Sequence, residues 1–239
     1  MLRKITLPEG TFWYVMSAMD ADDTSLQQAL SQPKQQLWLS QNPRTRFYLS
    51  ADHRLLFKFV IDKHAPQQFV HWLGRDVIDK RLCRQHDSRK EYASNRKLVS
   101  VGHAVVPTFG YGIALNPLNS WGSVHVMAWL SDCISGQVYY DRYASENARK
   151  WLAERLAHSV TTLAKSGYYH DDLTLANVMI NVHDKKFVWV DTRIKRLPKQ
   201  EKQQQAWLLA QADATCLPDD LREWYKQGLI DQIFSRPHF

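Results

Sequence analysis

The chain is poor in cysteine, poor in glycine and has no long apolar run, and each shortage removes a class of protein. Its three cysteines, Cys83, Cys133 and Cys216, lie far apart in 239 residues with no CxxC pair. So sparse and odd a set excludes a disulfide scaffold and a cysteine-rich zinc site, and implies the reducing cytosol. No run approaches the roughly 18 apolar residues of a spanning helix. The start, MLRKITLPEGTFWYV, has two basic residues but no apolar segment of signal-peptide length. The expected state is a soluble protein, at most peripheral to a membrane. There is no internal repeat, and the most biased stretch, QEKQQQ at 200–205, is short. Acidic residues are also in deficit: 24 Asp and Glu face 31 Lys and Arg, a net charge of +7. That excess favours an anionic partner, whether nucleic acid, a phosphate-bearing ligand or an acidic membrane face.

With 44% hydrophobic and 23% charged residues, the chain can form an ordinary packed core. Its length allows one large domain or two small lobes sharing a cleft. Residues 1–65 read as short strands and turns, including two strands around Ser50-Ala51-Asp52-His53. From Pro66 to Val101 the pattern becomes helical. Ser88-Arg89-Lys90-Glu91 fits a capping box that opens a helix ending at Gly102. Residues 103–115 and 123–130 return to strand character around the turn-rich insert Asn116-Pro117-Leu118-Asn119-Ser120. From Ser145 onward helices dominate, and Leu152, Leu156, Val160 and Leu163 form the apolar stripe of one that stops at Gly167. The fold class expected is α+β, with a strand-rich lobe over 1–130 and a helical lobe over 131–239, the boundary falling near Ser131–Gly136.

The chemistry is concentrated in 168–196, YYHDDLTLANVMINVHDKKFVWVDTRIKR. Val178–Val182 and Phe187–Val190 are short apolar runs joined by His183-Asp184-Lys185-Lys186, so an antiparallel hairpin is expected. Asn177 immediately precedes the first strand and Asp191 immediately follows the second. Pairing therefore brings an amide oxygen beside a carboxylate, with Asp172 on the loop leading in. Hard oxygens of this kind suit Mg²⁺, which takes one or two protein oxygens together with substrate phosphates. A further carboxylate can orient a hydroxyl for attack.

These residues resemble a known family. His170-Asp171-Asp172-Leu173-Thr174-Leu175-Ala176-Asn177 resembles the kinase catalytic loop H-x-D-L-x-x-x-N, and Asp191-Thr192-Arg193 stands where kinases carry D-F-G. Leu56-Phe57-Lys58-Phe59 resembles the strand bearing the phosphate-binding lysine, with Glu91 in the place of its helix partner. The whole order is similar to that of the bacterial lipopolysaccharide core kinases, the heptose and Kdo kinases of compact protein-kinase-like fold. The segment Arg89–Gly102 followed by Val106-Pro107 resembles their helix ending in G-x-x-V-P, with one residue more between the glycine and the valine. Any one motif has a plainer explanation: a strand lysine, a capping glutamate, turn-forming Asp and Asn, a packed loop histidine. Their joint order does not.

The resemblance implies an ATP-dependent kinase of a sugar hydroxyl of the lipopolysaccharide inner core, working at the cytoplasmic face of the inner membrane. Lys58, fixed by Glu91, would neutralise the ATP phosphates. Asn177 and Asp191 would hold Mg²⁺, and Asp172 would take or orient the acceptor hydroxyl. Backbone near Met127, Ala128 and Trp129 would meet adenine. Arg193, Lys195 and Arg196, with Lys199, put four cations just beyond Asp191 and fit an anionic glycolipid acceptor. Two departures stand out. No glycine occurs in Arg44–Ser50, where kinases have a phosphate loop, although Arg44 and Arg46 can supply phosphate contacts. Thr192-Arg193 replaces Phe-Gly, which implies no activation switch. Two other readings remain open: a small-molecule kinase of aminoglycoside or choline type, and a non-catalytic pseudokinase scaffold. No helix-turn-helix, zinc finger or RNP-like motif supports nucleic-acid binding.

Overall fold

The computed structural model describes residues 1–7, 9–17, 44–64, 67–118, 120–143 and 145–234. The strands expected within 18–43, Pro66 as the start of the helical stretch, and Asn119 of the insert lie outside the described residues. The chain divides into two compact units, one of 1–95 and 106–131, the other of 96–105 and 132–239.

The first unit is built on a six-stranded antiparallel sheet in the order β1-β2-β5-β6-β4-β3. The strands are β1 (Leu2–Leu7), β2 (Gly10–Ser17), β3 (Thr45–Leu49), β4 (Leu55–Val60), β5 (Thr108–Ala114) and β6 (Ser123–Ala128). Strand β4 reads as an almost unbroken apolar run because both its faces are covered: Leu55 through Phe59 are all buried. Alternation sends Phe57 and Phe59 to one face, where Tyr14, Tyr48, Val124 and Val126 complete a core. Phe59 meets Tyr48 and Trp121 edge-on, each with ring centroids 5.6 Å apart. The same alternation sends Lys58 to the opposite face.

The stretch expected to be helical from Pro66 to Val101 is broken. A turn at Phe69–His71 runs into a wide π-helix, Trp72–Leu82, whose end bonds Cys83 N–H to the Ile78 carbonyl. After the left-handed Arg84, α1 (Asp87–Ser100) begins. The capping box is not formed. Ser88 lies inside α1 and its hydroxyl donates to Ser123 Oγ at 2.9 Å, while Glu91 turns to Lys58. His86 takes the cap instead: its Nδ1 accepts from Arg89 N–H at 3.3 Å and its carbonyl from Lys90 N–H. The far end of α1 closes as expected at Gly102, in the left-handed region at φ 83°. There His103 N–H reaches the Leu98 carbonyl and Gly102 N–H the Val99 carbonyl, a Schellman pair that a β-carbon would strain.

In the second unit, β7 (Cys133–Ser135) leads into α2 (Gly136–Arg142) and α3 (Glu146–Lys165). Ser145 caps α3 by accepting from Ala148 N–H, and the stripe Leu152, Leu156, Val160 and Leu163 is buried. Then follow β8 (Tyr168–His170), a 3₁₀ turn (Leu175–Asn177), β9 (Val178–Asn181), β10 (Phe187–Trp189) and β11 (Ile194–Arg196). Helices α4 (Glu201–Ala214) and α5 (Asp219–Phe234) finish the unit, with Leu208, Leu221, Tyr225 and Leu229 buried as core. The hairpin β9–β10 forms in the expected place, pairing Ile180 with Phe187 and Val178 with Trp189, and β7 adds a third strand. A second ribbon pairs β8 with β11.

Candidate active site

In the first unit, Lys58 on β4 faces His125 directly across the ladder on β6. Glu91 of α1 bridges them, with Oε2 at 2.9 Å from Lys58 Nζ and Oε1 at 3.2 Å from His125 Nδ1. All three side chains are buried. Burial alone would push the Glu91 carboxyl up, but the Lys58 ammonium and the His125 ring outweigh it and hold it down at about 2. The bridge is possible because α1 docks through a polar stripe. Ser88 bonds Ser123, Glu91 meets His125, and Asn95 donates to the Val106 carbonyl at 3.0 Å, at a spacing of three and four residues. Tyr92 lies edge-on to His125 and against Tyr111, which closes the pair from the side.

In the second unit, Asp171, Asp172 and Asn177 are placed by backbone bonds rather than by packing alone. Asp171 N–H donates to the Arg193 carbonyl at 2.7 Å, tying the loop to β11. Asp172 N–H donates to His170 Nδ1 at 3.2 Å, and the Asn177 amide nitrogen donates to the Asp172 carbonyl at 2.7 Å. The last bond orients the Asn177 amide, so that its oxygen is the end available to a cation. Val190 N–H donates to the Asn177 carbonyl at 3.0 Å, and this brings Asp191 next to Asn177 as the hairpin reading expected. Asp191 sits in the left-handed region at φ 49°, a conformation Asp tolerates better than most residues.

His170 holds this loop from below. Its ring stacks on Trp189 with centroids 4.7 Å apart, and Trp189 Nε1 donates to Ser159 Oγ at 2.7 Å. Burial lowers the imidazole to about 4, so near neutrality it is uncharged and its Nδ1 is an acceptor for Asp172. Gly136 lets α2 approach the other side of the loop: a β-carbon there would stand 2.8 Å from the Leu175 carbonyl oxygen.

Among the described residues, no three His, Cys, Asp or Glu side chains form a metal cluster. The donor set that is present, one amide oxygen and one carboxylate, fits Mg²⁺ shared with substrate phosphates better than an all-protein metal cage. The basic residues beyond Asp191 are partly engaged. Lys195 is paired with Asp171 at 2.8 Å, whereas Arg193 and Arg196 are exposed on and beside β11. Near Met127, Ala128 N–H donates to the Pro107 carbonyl and Trp129 N–H to the Arg54 carbonyl. Those two amides are thus occupied within the protein. Arg44 and Arg46 are exposed at the start of β3.

Sequence reasoning missed three contributors. His125 looks like one more residue in an apolar strand, and only the β4–β6 register reveals it opposite Lys58. Ser159 and Trp189 support His170 from distant positions that no local motif links.

No family model and no curated protein matches the sequence. Solved structures do match. One is WaaP in complex with acyl carrier protein, 15% identical with a TM-score of 0.50, over 87% of this chain and 89% of that one. Another is monomeric WbdD, 15% identical with a TM-score of 0.49, over 99% of this chain but 56% of that one. A further structure of WbdD, described as a bifunctional kinase-methyltransferase, is 17% identical with a TM-score of 0.44 over 80% and 42%. The chain therefore spans about half the length of WbdD and nearly all of WaaP. The fold it shares with WaaP is α+β and protein-kinase-like, a strand-rich amino-terminal lobe followed by a helical carboxy-terminal one.

Proposed function

We propose that this chain is an ATP-dependent kinase that phosphorylates a sugar hydroxyl of the lipopolysaccharide inner core. The observation that carries the reading is the loop Asp172–Asn177 with Asp191 beside it. One carboxylate is offered toward an acceptor while an oriented amide oxygen and a second carboxylate lie together. The buried Lys58–Glu91 pair supports it independently, because a charged pair removed from water is costly unless it is needed. The kinase-like fold and the resemblance to lipopolysaccharide core kinases add the acceptor class.

In this reading Lys58 meets the α- and β-phosphates of ATP, and Glu91 keeps its ammonium directed. Asn177 and Asp191 would hold Mg²⁺, which neutralises phosphate charge as the γ-phosphoryl leaves ADP. Asp172 accepts the proton of the acceptor hydroxyl as its oxygen bonds to phosphorus, and the bond from phosphorus to the ADP oxygen breaks. His170 stays neutral and holds the loop. Arg193 and Arg196 attract the anionic groups of a core oligosaccharide, at the cytoplasmic face where ATP is present. No helix among the described residues is long and apolar enough to cross a membrane, so contact with the bilayer would be peripheral.

The test is ATP turnover by the purified protein with lipopolysaccharide, with a panel of small hydroxylated compounds, and with no acceptor. Turnover stimulated by lipopolysaccharide and lowered about 10²–10⁴-fold in Asp172→Asn is expected. Phosphate appearing only on the small compounds would replace this acceptor by that of an aminoglycoside-type kinase. Failure of the folded protein to bind Mg·ATP would leave the scaffold reading.

A further inference from the structure

One cavity lies wholly within the second unit and opens at the catalytic loop. It has a volume of about 170 Å³, and Asp172, Tyr169, Trp207, Gln211 and Thr215 are among its walls. That is close to the roughly 150 Å³ of an engineered cavity that admits benzene, so there is space for one six-membered ring. Tyr169 and Trp207 form an aromatic wall with ring centroids 3.9 Å apart. Asp171, Asp172, Gln211, Thr174 and Thr215 add carboxylate, amide and hydroxyl groups, and none of the lining residues is Lys or Arg. The cations stand outside, on β11, whose Lys195 pairs in register with Tyr169 and whose ammonium is paired with Asp171.

Resting on the kinase reading above, we propose that this cavity is the acceptor subsite and takes one uncharged sugar ring. The ring's C–H face lies against Tyr169 and Trp207 and its hydroxyls meet Gln211, Asp171 and Asp172. Anionic substituents of the same acceptor remain outside, near Arg193 and Arg196. A carboxylate-bearing sugar such as Kdo would be disfavoured inside it, because Asp172 would repel its charge and the neighbouring cation, Lys195, is already paired with Asp171 at 2.8 Å. The positive charge of the chain therefore recruits the acceptor, while the pocket selects a neutral ring from it.

Cys216 provides a readout that needs no catalysis, since it is exposed and lines the cavity, while the exposed Cys83 belongs to the other unit. Alkylation of both by iodoacetamide would be followed by peptide mass spectrometry with methyl α-mannoside, with a neutral heptose and with Kdo. The expected result is that a neutral sugar at about ten times its Kd slows Cys216 about tenfold and leaves Cys83 unchanged, whereas Kdo does neither. Gln211→Trp, at an exposed position, fills the cavity and should raise the sugar concentration needed for protection about tenfold or more. Equal protection by Kdo, no protection by any neutral sugar, or full protection in Gln211→Trp overturns the proposal. ATP turnover measured in parallel separates the two readings. Turnover without protection removes the subsite alone, and protection without turnover removes the kinase reading but keeps a sugar site.

Discussion

At the residue scale, the candidate site depends on side chains whose charge is decided by burial. Glu91 is the clearest case, because its carboxylate is held by two partners on neighbouring strands. Removing one member of a buried pair leaves the other charge uncompensated, at a cost of about 3–5 kcal/mol. Glu91→Ala should therefore lower the melting temperature as well as activity. His125 is the more discriminating position, since it touches Glu91 and not the proposed nucleotide. His125→Phe should raise KM for ATP about tenfold with a smaller change in kcat, and His125→Gln, which keeps a polar group toward Glu91, should restore much of it. Equal losses in both variants would make His125 a packing residue only.

Two buried histidines contribute most clearly to the response to acid, and burial lowers the half-buried His103 in the same direction. Burial lowers both His170 and His86 to about 4, from an ordinary value near 6.5. Above pH 6.5 both are neutral folded or unfolded, and they contribute no pH dependence. As pH falls from 6.5 toward 4 the unfolded chain takes up protons that the folded one refuses, so stability declines through that window. Below it, protonation of Glu91 removes a further contribution as pH falls from 4.5 toward 2. Thermal unfolding should thus be level between pH 7 and 8 and fall steadily below 6.5. His170→Asn, which keeps a side-chain acceptor for Asp172 N–H, should flatten that fall, and an unchanged slope would assign the acid sensitivity to other groups.

At the scale of elements, legibility followed period. The β9–β10 hairpin was readable because two apolar runs flank a polar turn, and this alone placed Asn177 near Asp191. Helix α3 was readable from its stripe and its Ser145 cap. Helix α1 was visible as a helix but misread at its start, because its docking face is polar. Ser88, Glu91 and Asn95 recur at helical spacing yet resemble a solvent face in one dimension. The same serine and glutamate that mimic a capping box are spent on β6 and β4, and His86 supplies the cap. The stretch Trp72–Leu82 was read as helical, but nothing in its sequence marked the π form or the break before α1. Element contacts also predict a sensitive point that no catalytic motif marks. Gly136→Ala should cost about 1–3 kcal/mol, because the added methyl meets the Leu175 carbonyl and Val178 at the base of the catalytic loop. A melting temperature unchanged from wild type would show that α2 can shift freely.

At the scale of the whole molecule, each of the two units carries one of the two residue clusters that the proposed function uses, and the chain order connects them. Lysine, glutamate, loop, hairpin and aspartate appear in sequence in the order a kinase needs, so the fold class was readable from motif order where composition gave none. The proposed acceptor cavity was less legible, because it is assembled from β8, α4 and α5, which are separated in sequence and share no local motif. The net charge of +7 first pointed to any anion. Under the proposed function it would supply long-range attraction of an acidic glycolipid toward a pocket lined by no Lys or Arg.

Kinase activity on the inner core is tested by incubating the protein with Mg·ATP and deacylated inner-core oligosaccharide and weighing the oligosaccharide by mass spectrometry. The expected result is the mass of one added phosphate on a core sugar with wild-type protein, dependent on Mg²⁺, and almost none with Asp172→Asn. An oligosaccharide left unmodified by folded, nucleotide-binding wild-type protein, or modified equally by Asp172→Asn, would contradict it.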